Sequence, residues 1–255
     1  MNLKLLAISI GNSRTRLGAF EDGNLTESVT HPNDPVDPIS RSIIQLGKPM
    51  MDEAPAVLSS VNPPLTARVS RIVHEQLGAR LLRIDEDLPI PIGRQLDLES
   101  IVGEDRLLNA AAAYDALKQA CVIVDAGTAL TVDFVDGTGT FHGGAIATGA
   151  SLMLTTLQQS AYQLPEVELK RPDETIGHNT VQAMRTGVYH GIRGMVRELV
   201  EKYAEFAGLY PMVVATGGDA ELLFEDYNLM DRIVPDLTLR GIALTLQAHA
   251  QKADS

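Results

Sequence analysis

The chain has 255 residues, 45% hydrophobic and 21% charged, a composition typical of globular proteins that excludes disordered, collagen-like and coiled-coil classes. Its 33 acidic and 21 basic residues give a net charge of -12, which argues against a nucleic-acid partner. The single cysteine, Cys121, excludes an intrachain disulfide framework, and its apolar neighbours favour a buried thiol over a nucleophile. The first apolar run is too short for a membrane span or a signal peptide, so we expect a cytoplasmic protein without a membrane partner.

The first half of the chain is predicted to begin with antiparallel strands and to continue as alternating strands and helices. Apolar runs bounded by glycine, proline and asparagine predict its strands, which are 3–10, 15–20, 25–29, 56–61 and 80–84. Apolar residues at helical spacing predict its helices, which are 38–46, 65–77 and an alanine-rich stretch, 105–119. The proline-rich stretch 31–38 and the segment 88–100 are predicted to be loops.

The second half repeats the opening pattern of the first. Its predicted strands are 121–125, 129–135, 141–146 and 212–216, with a turn at 126–127 and a hairpin signal at 136–137. Its predicted helices are 151–159, 181–207, 220–227 and 239–251. Because each half opens as strand, turn, strand, turn, strand, we predict an α/β protein of two similar domains, 1–118 and 119–255.

Two small polar turns between apolar strands are candidate phosphate sites. They comprise residues 9–15 and 125–131, and each contains a glycine followed by a hydroxyl residue. Glycine lets the backbone approach a ligand closely, and successive N–H groups at such a turn form a nest for an anion. Either turn alone fits an ordinary β-hairpin better. Their occurrence at the start of both halves favours the phosphate interpretation.

Two further segments have a chemical and a structural interpretation. Gly217-Gly218, between a strand and a helix, fits a nucleotide at a helix N-terminus or a tight turn capped by Asp219. The segment 103–106, GEDR, fits ordinary helix capping or a general base beside an anion-binding arginine. The phosphate loop GxxxxGK[ST], the metal-binding motif HExxH and the nucleophile elbow GxSxG are absent, and no GxGxxG motif follows a strand. Enzymes that depend on one of these four motifs are therefore excluded.

Together these segments resemble the type III pantothenate kinases of the actin and sugar-kinase superfamily. The matching segments cover most of the chain in the family's order: IGNSRTRLGAF, GEDRLLNAAAA, VIVDAGTALTVDFV, GTFHGGAIATGASLM, LPEV, GHNTVQAMRTGVYHG and VVATGGDA. The resemblance implies two ribonuclease-H-like domains of the actin-like ATPase fold, each a mixed sheet flanked by helices. It implies a homodimeric enzyme that phosphorylates pantothenate with ATP, the first step of coenzyme A biosynthesis. The implied cofactors are Mg²⁺ and a monovalent cation, K⁺ or NH₄⁺.

The resemblance also implies a role for each matching residue. Asp105 matches the proton acceptor, Asp125 the ligand of the monovalent cation, and Thr128 an ATP contact. The first ATP-binding segment comprises Ser9, Gly11, Asn12, Ser13, Arg14, Thr15 and Arg16. The pantothenate-binding residues comprise Leu96, Gly103, Glu104, Asp105, Arg106 and Thr180.

The chain departs from the family pattern at two of these positions. The family's first motif is D-x-G-N-T, and here Ser9 stands at the aspartate. The family places a tyrosine several residues before GxDR, and by spacing Leu96 takes its position. These changes leave open a catalytically impaired paralogue with a regulatory or accessory role, and a kinase for another small molecule on the same fold. The retained base Asp105 favours the pantothenate kinase.

Overall fold

The computed structural model describes residues 4–50, 54–97 and 99–253, which form two compact units. The first unit contains the described residues of Met1–Gly93, Asp97–Asp115 and Asp236–Ser255. The second contains those of Arg94–Leu96 and Ala116–Pro235. Each unit holds a mixed sheet with helices, as predicted for the fold class. Leu3, at which the first predicted strand begins, lies outside the described residues.

The first unit contains a five-stranded sheet. Its strands are β1 (Leu5–Ile10), β2 (Arg14–Glu21), β3 (Asn24–Pro32), β4 (Ala56–Ser60) and β5 (Leu81–Arg83), in the order β3-β2-β1-β4-β5. The strand β1 is antiparallel to β2 and parallel to β4, so the carboxyl ends of β1 and β4 lie at one edge. Every residue of β1 is buried except half-buried Ser9, because apolar residues occupy both of its faces.

Four helices belong to this unit. They are α1 (Asp37–Gly47), α2 (Pro63–Ile72, continued by a π-helical turn, Val73–Leu77), α3 (Glu104–Leu117) and, at the carboxyl terminus, α7 (Leu237–Ala253). The side chain of Thr238 on α7 donates a buried hydrogen bond to Asn109 Oδ1 on α3 (2.7 Å). Gly241 lets α7 approach α3 closely, since a Cβ there would overlap the Leu108 carbonyl. The last helix therefore packs in the first unit, although it follows the second half of the sequence.

The second unit contains a six-stranded sheet. Its strands are β6 (Gly93–Arg94), β7 (Cys121–Ala126), β8 (Ala129–Val135), β9 (Thr140–Thr148), β10 (Met212–Thr216) and β11 (Arg232–Ile233), in the order β11-β10-β7-β8-β9-β6. Its helices are α4 (Ala150–Ser160), α5 (Thr180–Ala207) and α6 (Ala220–Phe224). The strands β6 and β11 were not predicted, because two residues are too few to show an alternating pattern. The helix α6 is shorter than the predicted 220–227.

The two sheets repeat one topology. The strand β7 is antiparallel to β8 and parallel to β10, as β1 is to β2 and β4. Burial along β7 matches burial along β1 position by position, and Asp125 is the half-buried residue that corresponds to Ser9. The predicted internal repeat is therefore present, with a carboxylate in the second copy and a hydroxyl in the first. Among the described residues, none of the helices has the length and apolar character needed to cross a membrane.

Candidate active site

The first polar turn joins β1 to β2 in the first unit. The Gly11 N–H donates to the Arg14 carbonyl (2.9 Å), which closes the turn. The side chains of Asn12, Ser13 and Arg14 are exposed, whereas Thr15 is fully buried. Three of the predicted ATP-binding residues are therefore accessible to a ligand, and Thr15 is part of the support beneath them.

Asn33, just after β3, holds this turn in place. Its side-chain amide donates to the carbonyls of Gly11 (2.9 Å) and Asn12 (3.0 Å), and its Oδ1 accepts from the Thr15 hydroxyl (2.7 Å). The Asn33 N–H also donates to the Ser13 carbonyl (3.0 Å). From the sequence, Asn33 was predicted only to lie in a proline-rich loop, because its partners are about twenty residues away and no local pattern links them.

The GEDR segment begins α3 in the first unit, where all four residues are half-buried. Asp105 Oδ1 accepts a hydrogen bond from the Arg106 N–H (2.9 Å), which fixes the orientation of this carboxylate. The first-turn N–H groups of a helix also favour negative charge beside them. Asp105 and Arg106 therefore place a half-buried carboxylate and a neighbouring half-buried arginine in the first turn of a helix of 14 residues.

Glu104 points its carboxylate toward β4. Its Oε2 accepts hydrogen bonds from the Ser59 hydroxyl (2.8 Å) and the Ser60 N–H (3.2 Å). Burial raises the pKa of Glu104, and the hydrogen bonds from Ser59 and Ser60 lower it by less. The Val61 N–H donates to the Ile10 carbonyl (3.0 Å), so these contacts lie at the edge of the sheet where β1 enters the first turn.

The second polar turn joins β7 to β8 in the second unit. The Gly127 N–H donates to the Ala129 carbonyl (3.0 Å), the same closure as in the first turn. Half-buried Asp125 stands at the end of β7, opposite Thr131 on β8 and Thr216 on β10, and Thr128 is exposed. The repeated geometry places Asp125 and Thr128 at a turn that is closed in the same way as the first.

Two other backbone segments lie directly against this turn. The Gly149 N–H, before α4, donates to the Thr128 carbonyl (3.0 Å), and a Cβ at Gly149 would overlap the Gly127 carbonyl. Gly217 has a φ of +99°, and a Cβ there would overlap the Ala126 backbone. Neither glycine tolerates a side chain, so the close approach of three segments depends on them. Gly217 was a candidate from the sequence, whereas Gly149 was not.

The remaining predicted substrate residues lie in the second unit. Thr180 is the exposed first residue of α5, whose N-cap Asn179 accepts a hydrogen bond from the Gln182 N–H (2.9 Å). Half-buried Leu96 lies near Gly143 on β9, where a Cβ on the glycine would be 3.4 Å from Leu96 Cδ2. These residues belong to one unit, whereas Asp105 and the first turn belong to the other.

Cys121 is confirmed as a buried thiol. It is 0% exposed at the start of β7, and burial raises its pKa to about 12. A thiol of that pKa is protonated at neutral pH and does not act as a nucleophile.

Comparison with known proteins identifies relatives over nearly the whole chain. A family profile for type III pantothenate kinases matches residues 5–202. A type III pantothenate kinase of Dehalococcoides mccartyi is 34% identical over 257 residues, covering 98% of this chain and 99% of that protein. The type III pantothenate kinase of Rhodospirillum rubrum is 35% identical over 248 residues, covering 94% and 96%.

Solved structures share the fold at low sequence identity. A Campylobacter jejuni protein described as belonging to a Baf family of transcriptional activators matches with a TM-score of 0.64 and 18% identity, covering 96% of this chain and 99% of that one. Component A of (R)-2-hydroxyglutaryl-CoA dehydratase from Acidaminococcus fermentans matches with a TM-score of 0.56 and 14% identity, covering 98% of this chain and 99% of that one. MreB5 of Spiroplasma citri bound to ADP matches with a TM-score of 0.52 and 9% identity, covering 99% of both chains. These likenesses confirm the predicted actin-like ATPase fold and, at such identities, nothing beyond it.

Proposed function

This chain belongs to the type III pantothenate kinase family, and from that premise we propose how its residues perform the family's reaction. The chain phosphorylates pantothenate to 4′-phosphopantothenate with ATP, the first step of coenzyme A biosynthesis. The observation that carries this conclusion is the match to named relatives over nearly their whole length. No observation favours the impaired paralogue that the sequence left open.

Asp105 is the proposed general base. The primary hydroxyl of pantothenate has too high a pKa to attack ATP unaided, so a carboxylate takes its proton as the new bond forms. The hydroxyl oxygen bonds to the γ-phosphorus, the bond from that phosphorus to the β,γ-bridging oxygen breaks, and ADP leaves. The Arg106 N–H bonded to Asp105 Oδ1 (2.9 Å) supports this role, because it orients the carboxylate.

The residues proposed to bind pantothenate are Gly103 to Arg106, Thr180 and Leu96. Pantothenate carries a carboxylate, which suits the Arg106 guanidinium and the N–H groups at the start of α3. The exposed Thr180 hydroxyl offers one further hydrogen bond, and Leu96 offers apolar contact without one. The Glu104 side chain turns toward β4, so its negative charge is directed away from the helix start.

The two polar turns are proposed to bind ATP. The exposed Asn12, Ser13 and Arg14 of the first turn and Thr128 of the second supply amide, hydroxyl and guanidinium donors for phosphate oxygens. The half-buried carboxylate of Asp125 is an oxygen ligand suited to the proposed K⁺ or NH₄⁺. When bound, Mg²⁺ and the monovalent ion neutralise the phosphate charge that develops during transfer.

A homodimer is also part of the proposal. Large apolar side chains are exposed on β9, on α4 and before α5, including Ile146 (65% exposed) and Ile176 (71% exposed). Leu152 (43% exposed) and Leu157 (40% exposed) on α4 are also accessible, though less so. Such surface favours association, which removes it from water. Thr180 follows Ile176 closely in the chain, so a partner that covers this surface also lies beside a proposed substrate residue. We propose that this dimer is cytoplasmic.

The test is a direct assay. Purified protein is incubated with pantothenate, ATP and Mg²⁺, with K⁺ and NH₄⁺ in separate reactions, and the product is identified by mass spectrometry. We expect 4′-phosphopantothenate and ADP in equal amounts. Absence of product at high ATP with both cations would refute the kinase and support the impaired paralogue. Sedimentation of the active protein as a monomer would refute the dimer.

A further inference from the structure

The internal repeat shows an asymmetry in charge between the two turns. Asp125 and Ser9 occupy corresponding positions at the ends of β7 and β1, with the same pairing on both sides and the same burial. The second turn therefore has a carboxylate at its base, and the first has a hydroxyl. No residue from Ser9 to Arg16 is acidic.

Another carboxylate lies at the same edge of the first sheet. Ser59 is directly opposite Ser9 in the parallel pair of β1 and β4, so the two side chains project to one face about 5 Å apart. The Ser59 hydroxyl donates to Glu104 Oε2 (2.8 Å), and the Ser60 N–H donates to the same oxygen (3.2 Å). Glu104 therefore places a carboxylate against Ser59, the strand neighbour of Ser9.

The contacts of Glu104 leave it able to act on a cation. Both hydrogen bonds go to Oε2, and no partner of Oε1 is recorded within the described ranges 4–50, 54–97 and 99–253. Within the same ranges no cationic side chain forms an ion pair with Glu104; the Arg83 guanidinium bonds Glu86 (2.6 Å) and acts on Glu104 only at longer range, where Asp85 opposes it. A half-buried carboxylate without a directly bonded cation is costly to keep ionised, and a glutamine would accept the same two hydrogen bonds at lower cost.

We propose that Glu104 supplies at the first turn the carboxylate that Asp125 supplies at the second, and that it positions the divalent cation of Mg·ATP. This inference rests on the proposed function, because it assumes that the nucleotide bound at the first turn is ATP. Mg²⁺ keeps several of its waters and is held in proteins by one or two carboxylates together with phosphate oxygens, so one glutamate beside a phosphate turn is sufficient. Glu104 is then a positioning residue for the metal–nucleotide complex, while the neighbouring Asp105 acts on the primary hydroxyl of pantothenate.

The experiment moves the carboxylate between the two positions. Four proteins are compared: wild type, Glu104→Gln, Ser9→Asp and the double variant, with Glu75→Gln as a control at an exposed carboxylate of the same unit. For each protein, the dissociation constant of the complex of Mn²⁺ with a non-hydrolysable ATP analogue is measured by electron paramagnetic resonance and calorimetry. The affinity for the analogue without metal is measured in parallel.

Glu104→Gln is expected to weaken binding of the metal–analogue complex about tenfold, as loss of one carboxylate interaction worth about 1.4 kcal/mol would do. Its affinity for the analogue without metal is expected not to fall, because the side-chain hydrogen bonds to Ser59 and Ser60 are kept. Ser9→Asp is expected to restore metal-dependent binding in the Glu104→Gln background and to change it less than threefold in wild type.

Each other outcome overturns the proposal. Unchanged metal affinity in Glu104→Gln would show that this carboxylate does not act on the metal, and failure of Ser9→Asp to restore it would show that the two positions are not equivalent. If Glu104→Gln does not fold, a gain of threefold or more in metal-dependent binding from Ser9→Asp in wild type refutes the proposal, and a smaller change supports it. The binding measurement needs no turnover, so an absence of pantothenate phosphorylation would refute the proposed function separately.

Discussion

Replacing Asn33 by alanine should loosen the first turn and weaken ATP binding. The change removes the hydrogen bonds to the Gly11 and Asn12 carbonyls, which lie near solvent and are replaced in part by water. It also removes the acceptor of the Thr15 hydroxyl, which is 0% exposed. A buried donor without a partner costs about 1–3 kcal/mol, and each carbonyl bond about 0.5 kcal/mol net. We therefore expect a loss of about 2–4 kcal/mol in the free energy of unfolding.

The assay combines urea denaturation with steady-state kinetics. We expect Asn33→Ala to raise the KM for ATP more than the KM for pantothenate, because its partners are in the phosphate turn. Asn24→Ala is the matched control, since the Asn24 side chain makes only an exposed 3.4 Å bond to the Asp22 carbonyl among its described contacts. Adding Thr15→Val should reduce the cost of Asn33→Ala by about 1–2 kcal/mol, because the orphaned hydroxyl is gone. A loss below about 0.5 kcal/mol with an unchanged KM for ATP would refute the reasoning.

Three further predictions follow from single groups. Asp105→Asn should lower kcat by about 10²–10⁴ without changing the far-ultraviolet circular dichroism; turnover near wild type would remove Asp105 from the mechanism. Burial raises the pKa of Asp136, but hydrogen bonds from His142 and Thr138 outweigh it and hold the pKa well below the ordinary range. The Asp136 carboxylate therefore stabilises the fold fully above about pH 4, the ordinary pKa of an aspartate. This contribution is lost as the pH falls through the lower pKa of the folded state. Asp136→Asn should cost about 1–2 kcal/mol in urea denaturation at pH 7 and less at pH 2, and an equal cost at both would contradict this. Cys121 should resist a thiol reagent at pH 8 until the protein unfolds, because burial raises its pKa to about 12; rapid labelling of the native protein would disprove it.

Local patterns determined most elements of this protein. The apolar runs of β1 and β7, the alanine-rich α3 and the two glycine turns were all predicted, because each depends on residues adjacent in sequence or one helical turn apart. The same patterns placed the candidate base Asp105 at the start of a helix and Asp125 at the end of a strand. The roles of these residues came from the family resemblance and not from periodicity.

Long-range contacts decided the rest. Asn33 reaches the first turn only because β3 pairs with β2, and α7 joins the first unit only through its packing on α3. Glu104 belonged to a capping pattern in sequence, yet its carboxylate bonds Ser59 and Ser60, about 45 residues earlier. No local periodicity encodes such partners, because they follow from strand register and helix packing, which form only when distant segments meet. The placement of a carboxylate against Ser59, the strand neighbour of Ser9, is therefore a property of the tertiary structure alone.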